Sequence, residues 1–270
     1  MRDHFVFRKF ILLSAASLIL SSAPAHAGKF IVSYESEAPG IQNTTATVAG
    51  GTETFTSKSN GSGQTFTSDF GTGGKYTGTY KNVQINSADQ YGGAGGNGQY
   101  AVTFNSTGYS LDLSTKQPGG VTYFGYWLSA LDPGNEVSFY SKGKLLFDFK
   151  PSDVIAAIKS TANPSAYYGN PNSPYKGWNS SEPYAYLNFF ATGNTTFDKV
   201  VFKEVNYYGG YESDNHTIGK WSTLGTGTAV KLISSVSAVP ENSTWIMLIA
   251  GMGMVAATMR RRKAPLALAA

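Results

Sequence analysis

Apolar and polar residues alternate in short runs along the middle of this 270-residue chain. The clearest runs are 29–34, 99–104, 109–113, 136–140, 144–149 and 199–205. A period of two is the pattern of a strand with one face buried. Turn residues separate the runs, among them Asp132-Pro-Gly-Asn135 and Ser141-Lys-Gly143. The second of these predicts a tight hairpin between the runs that flank it. One stretch has helical spacing instead. Pro151 suits a first turn, Asp153 favours the helix dipole, and Val154, Ile155 and Ile158 fall on one face, which predicts a helix over 151–159. The pattern as a whole predicts an all-β, antiparallel, two-sheet sandwich of jelly-roll type with one short helix.

Residues 50–98 are harder to read, because Gly, Ser and Thr crowd them. Thr54-Phe-Thr-Ser57 is echoed by Thr65-Phe-Thr-Ser68, and we expect these to be two arms of one hairpin. The glycine-rich stretch from Gly92 to Gly96 reads as a flexible loop.

The two ends have a different character. Arg2, Arg8 and Lys9 precede an apolar run over 10–20, and Ala25-His26-Ala27 follows as a small-x-small cleavage site, so a signal peptidase is expected to leave Gly28 first. At the other end, residues 244–259 carry no charge, and Arg260, Arg261, Arg262 and Lys263 follow. An apolar helix closed by a cationic knot stops in a bilayer with its cations on the cytoplasmic side. The expected organisation is a signal peptide over 1–27, an exported domain over 28–237, and a sorting segment over 238–263 with a spanning helix at 244–259.

Charge follows the same division. The formal net charge is +4, from 21 basic and 17 acidic residues. Seven of the cations and two of the anions lie outside 28–240, which leaves 14 and 15 there and a net charge of −1. The basic balance therefore belongs to the ends and gives no support for nucleic acid as a partner. All the arginines are terminal, so the body lacks the side chain best suited to gripping phosphate from two sides. With no cysteine, thiol nucleophiles, thiolate metal sites and disulfides are excluded.

The C-terminal segment Val239-Pro240-Glu241-Asn242-Ser243-Thr244-Trp245, with its apolar run and arginines, resembles the PEP-CTERM sorting signal of Gram-negative bacteria. Asn242 stands where that family usually has a second proline. The resemblance implies recognition by an exosortase, with Val239, Pro240, Glu241, Trp245 and Arg260–Arg262 as its determinants. It also implies passage through a membrane-anchored intermediate to the cell surface or the extracellular matrix.

A second likeness is to exosortase-dependent bacterial surface proteins. It rests on Phe124, Gly125, Trp127, Asp132, Asn135, Ser138, Phe139 and Tyr140, and on Tyr211-Glu-Ser-Asp-Asn-His216. It implies a β-sandwich surface domain and supplies no catalytic residue.

The candidate chemistry is sparse. Asp132, Asn135, Glu212, Asp214 and Asn215 are hard oxygen donors and form a candidate set for a structural Ca²⁺, although Asp132 and Asn135 also suit a turn-capping role. His216 is the single histidine of the body, and no G-x-S-x-G elbow accompanies it, so a Ser-His-Asp site is not expected. Glu212-Ser-Asp214 begins the E-x-D-x-x-E strand motif of sandwich glucanases, but Thr217 occupies the third position. Tyr175, Trp178 and Tyr184 lie in a loop-like stretch with Tyr167, Tyr168 and Tyr186, and are candidates for stacking on sugar rings. Tyr207, Tyr208 and Tyr211 around Gly209-Gly210 could do the same.

The expectation is a non-enzymatic exported surface or exopolysaccharide-associated protein. A carbohydrate-binding module is the first alternative and a divergent glycoside hydrolase the second.

Overall fold

Thirteen strands, β1 to β13, form in the computed structural model, which describes residues 29–35, 41–205, 209–225 and 229–233. The signal peptide with Ala25, Ala27 and Gly28 lies outside these residues. So does the sorting segment from Val239 to Arg262. No helix among the described residues is long and apolar enough to cross a membrane.

Every strand pairing is antiparallel, and the hydrogen-bonded path runs β13-β1-β10-β7-β12-β5-β4-β6-β11-β8-β9, with β2 added to β12 and β3 to β4. The sequence pattern anticipated two sheets. The ladder instead joins the strands into one sheet that curls over its own core. Phe30 in β1 (Lys29–Tyr34) stacks on Phe147 of β9 (Lys144–Phe149) at 5.0 Å and meets Phe139 of β8 (Asn135–Ser141) at 5.2 Å. The two ends of the path thus face each other across a core rich in Phe and Tyr.

The alternating runs account for β1, β5 (Gln99–Thr103), β6 (Tyr109–Thr115), β8, β9 and β11 (Lys199–Glu204). The β8–β9 turn is the expected hairpin. Ser141 pairs with Lys144, while Lys142 and Gly143 take φ of 50° and 78°, the left-handed pair of a type I′ turn. The helix α1 spans Ser152–Lys159 and buries Val154 and Ile158.

The glycine-rich half differs from expectation. It carries β2 (Thr47–Glu53), β3 (Gly61–Ser68) and the twelve-residue β4 (Tyr76–Ser87). Thr54–Ser57 is not an arm of a hairpin with β3. β3 pairs with β4, and Phe55 turns into the core at a φ of 54°. The stretch Gly92–Gly96 contains a short 3₁₀ turn at Ala94–Gly96.

Three more strands are almost wholly buried: β7 (Tyr123–Ser129), β10 (Ala185–Thr192) and most of β12 (Tyr211–Thr223). Loops cover their outer face, and this covered face carries the site.

Candidate functional site

β12 sets the geometry. Its inward residues begin as Tyr211 and Ser213, whose hydroxyls bond Tyr126 and Tyr109. Glu212 and Asp214 therefore point to the opposite face. Between Asp214 and Thr217 the register slips, and Asn215 takes a φ of 49°. This β-bulge inserts a residue and reverses the alternation, so His216 and Ile218 face the core. The His216 ring lies parallel to Phe202 at 5.3 Å and edge-on to Phe55 at 5.0 Å. Burial depresses its pKa to about 3, so the ring is neutral and takes no part in any surface chemistry.

On the outer face, three loops are knitted together above β12. Asn170 Nδ2 donates to the carbonyls of Asp89 and Gln90, Tyr175 Oη to that of Ala88, and Tyr184 Oη to that of Gln90. Ala94 N–H donates to Asp214 Oδ2 at 2.7 Å, and Gly95 N–H to Gln42 Oε1. Asn215 Nδ2 ties the same assembly to the carbonyl of Gln42.

Beside this assembly opens a cleft of about 670 Å³. Asp132, Glu182 and Glu212 line it with Tyr91, Phe104 and Asn179. Tyr91 and Phe104 stay 42% and 45% exposed. Phe104 falls one residue past the end of β5, and so its ring escapes the core. Glu182 is steadied by Asn179, whose Nδ2 donates to Oε2 at 2.6 Å.

Glu212 is only 4% exposed, and its own backbone N–H offsets only a part of the cost of charging it. Burial raises its pKa well above the ordinary carboxylate value, and the charges of Asp132, Glu182 and Asp89 add to that. Asp132 is pushed up to about 6 by burial and by Glu182 and Glu204.

Two glycines make the close approach. A Cβ at Gly209 would fall 2.1 Å from Asp132 Oδ2, and one at Gly210 would fall 2.0 Å from Glu212 Oε1. Both carboxyls thus rest against bare backbone.

The five candidate Ca²⁺ ligands do not form one site. Asp132 and Glu212 share the cleft. Asn135 caps the turn instead: its Oδ1 accepts from Asp132 N–H, and its Nδ2 donates to Glu204 Oε2 and to the carbonyl of Gly210. Asp214 is occupied by the N–H groups of Ala94 and Asn215, and its pKa is raised to about 7 chiefly by burial. Asn215 is held by Gln42 and Asn43. Among the described residues, no group of three or more acidic or histidine side chains could hold a metal ion.

The aromatic candidates also divide. Trp178 is 55% exposed and meets Tyr175 edge-on at 5.8 Å. Tyr184 is only 1% exposed and packs on Trp127, so the stacking role expected for it fails on burial. Tyr211 is core, while Tyr207 and Tyr208 lie outside the described residues. Sequence reading missed Tyr91, Phe104 and Glu182. The Gly209-Gly210 pair two residues before Glu212 was the signal available.

No protein-family model and no curated protein matches this chain. Among solved structures it is similar to the K2 cleaved adhesin domain of Lys-gingipain, at 18% identity and a TM-score of 0.35, over 63% of this chain and 99% of that one. Similarity at that level carries neither fold nor function across.

Proposed function

We propose that this is an exported saccharide-binding protein of the cell surface or extracellular polysaccharide matrix, carried there by its signal peptide and an exosortase-type C-terminal signal. In this reading the rolled sheet serves as a jelly-roll-type sandwich, and the protein acts by binding.

The observation that carries the proposal is the cleft. Partly exposed aromatic rings at Tyr91 and Phe104 flank carboxyl and amide oxygens that can accept hydrogen bonds from sugar hydroxyls. Its volume falls in the range of small-molecule sites. The exposed Trp178 ring extends the aromatic surface of the same loop assembly. The basic, apolar and small-x-small order of the N-terminus and the PEP-CTERM-like C-terminus support export.

The second reading, glycoside hydrolysis, is favoured by one observation: Asp132 and Glu212 enter the same cleft as a pair of carboxyls. A glycan array probed with the full-length chain tests the first reading. Retention of neutral or amino oligosaccharides is expected, with loss of retention in a Tyr91→Ala/Phe104→Ala double variant. Release of reducing ends from a retained oligosaccharide would replace binding with hydrolysis, and an array without retained glycans would end both readings. Mass spectrometry of the mature termini in the native host tests export. It is expected to find Gly28 first and the residues after Pro240 removed.

A further inference from the structure

Five lysines among the described residues form ion pairs away from the cleft. Lys58 reaches Glu53 at 3.3 Å, Lys81 and Lys199 reach Asp112 at 2.6 and 3.3 Å, and Lys150 and Lys203 reach Glu136 at 3.7 and 4.0 Å. These five lysines make no such pair with Asp132, Glu182 or Glu212, and no lysine among the described residues lines the cleft. The body has no arginine to supply instead.

Glu212 is the deepest of the three. It is only 4% exposed, lies against the backbone of Gly210, and lines the cleft. A carboxyl this deeply buried is costly to ionise unless a cation or a donor meets it.

A Ca²⁺ ion is a poor candidate for that partner. It takes six to eight oxygens at short range. Here the other oxygen donors, Asn135, Asp214 and Asn215, are committed to internal hydrogen bonds. The three carboxyls line a cleft of about 670 Å³, and among the described residues no three such side chains are grouped to hold a metal ion. Tyr91 and Phe104 add ring surface, which attracts a cation and packs on the C–H face of a pyranose.

We infer that the Asp132–Glu182–Glu212 cleft selects a sugar bearing a free ammonium group, of glucosamine type, over the same sugar with its nitrogen acetylated. This inference rests on the saccharide reading of the same cleft and deepens it. The ammonium donates to the buried Glu212 carboxyl and takes the field of Asp132 and Glu182. Acetylation removes both the charge and two donors. Burial raises the proton affinity of Glu212 and Asp132 and the neighbouring carboxylates add to it; a cation in the cleft offsets that second part. The same field disfavours uronic acids and sulfated sugars.

The test is titration calorimetry on the full-length chain with three probes: a β-1,4-linked glucosamine tetrasaccharide, its fully N-acetylated form, and a glucose tetrasaccharide. The glucosamine form is expected to bind at least about tenfold tighter than the other two, with a preference that shrinks as salt rises. Glu212→Gln should reduce the preference to about twofold or less, and Glu182→Gln, at the half-buried rim, should reduce it partly, with circular dichroism confirming that both variants fold. Equal or tighter binding of the acetylated or glucose form overturns the inference and leaves a saccharide site standing. Absence of binding by all three overturns the saccharide reading as well. A preference abolished by EDTA assigns the carboxyls to a metal ion and also overturns it.

Discussion

The hydroxyl of Tyr80 lies 3.1 Å from Nδ1 of His216, while Nε2 on the far side of the imidazole has no hydrogen-bond partner among the described residues. The ring is fully buried among Phe55, Phe124, Tyr126 and Phe202, so a second proton on the imidazole would introduce an unpaired charge into the aromatic core. Its pKa is depressed to about 3, against about 6.5 in an unfolded chain. The unfolded state therefore binds a proton that the folded state refuses. Stability is unaffected above about pH 6.5 and falls as pH drops from there toward about 3. At about 1.4 kcal/mol per pH unit, the loss between about pH 6.5 and pH 4 is about 3 kcal/mol. His216→Phe should remove that slope. Urea unfolding of both proteins across this range measures it, and parallel curves would show that His216 is not the acid-sensitive group.

Asp214 tilts stability the other way. Burial holds its folded pKa at about 7, reinforced by Glu53 and opposed by the N–H groups of Ala94 and Asn215. The folded state keeps a proton that the unfolded carboxyl releases near pH 4, so this group's contribution is complete below about pH 4 and is lost as pH rises through 7. Asp214→Asn should accordingly gain on the wild type by up to about 4 kcal/mol between about pH 4 and pH 8, whatever constant offset the amide introduces at Ala94. Melting temperatures of the two proteins, taken at both pH values, read this as a shrinking or reversing gap.

Several elements could be read from residue order because one face is wet. β6, β8 and β11 keep enough alternation to announce themselves, and the Lys142-Gly143 turn and α1 carry their own local chemistry. β10 was hidden because loops cover its outer face. Burial at nearly every position erases the period of two, and its aromatics then look like those of a loop rim. β3 was legible only in its second half, read as a hairpin arm with the wrong partner, for the opposite reason. Gly61–Ser68 offers Phe66 as its sole large apolar side chain, and pairing with β4 makes it a strand. The site was legible only in part. Asp132 and Glu212 stood out as oxygen donors, but their meeting depends on β7 pairing with β12, with Glu212 opposite Ser129. Glu182 and Phe104 come from distant segments that only the folded topology places beside them. The bulge at Asn215 could not be read from an alternating pattern, which would have put His216 on the face of Glu212 and Asp214.

The β8–β9 hairpin offers a gain in stability. Lys142 occupies the first left-handed position of a type I′ turn, with a φ of 50° that a long L side chain tolerates poorly, and Gly143 fills the second. Its backbone N–H donates to Asp198 Oδ2, a bond that any L residue can keep. Lys142→Asn supplies the side chain this turn prefers and should stabilise the protein by about 0.5–1 kcal/mol. The midpoint of urea unfolding should rise with an unchanged slope; a fall would mean that the Lys142 side chain carries an interaction the turn geometry does not reveal.

Two glycines separate the site from the scaffold. In the middle of the β2–β12 ladder, Gly50 pairs with Gly219, and a Cβ at Gly50 would fall 1.8 Å from the carbonyl oxygen of Ile218. That obstacle is backbone in a hydrogen-bonded ladder and can yield only if the strands part. Gly50→Ala should therefore cost about 3 kcal/mol, or roughly 6–12 °C in Tm. At Gly210 the obstacle is Glu212 Oε1 at 2.0 Å, with Phe104 Cε1 at 2.9 Å. Both atoms belong to side chains that can swing away. Gly210→Ala should thus cost less than about 1 kcal/mol while driving the Glu212 carboxyl from its seat. Oligosaccharide titration and thermal melting together read the contrast: Gly50→Ala melts early and, below its melting point, binds as the wild type does, whereas Gly210→Ala melts near the wild type and loses binding. Wild-type affinity in a Gly210→Ala protein that folds would mean that the position of Glu212 does not govern ligand capture.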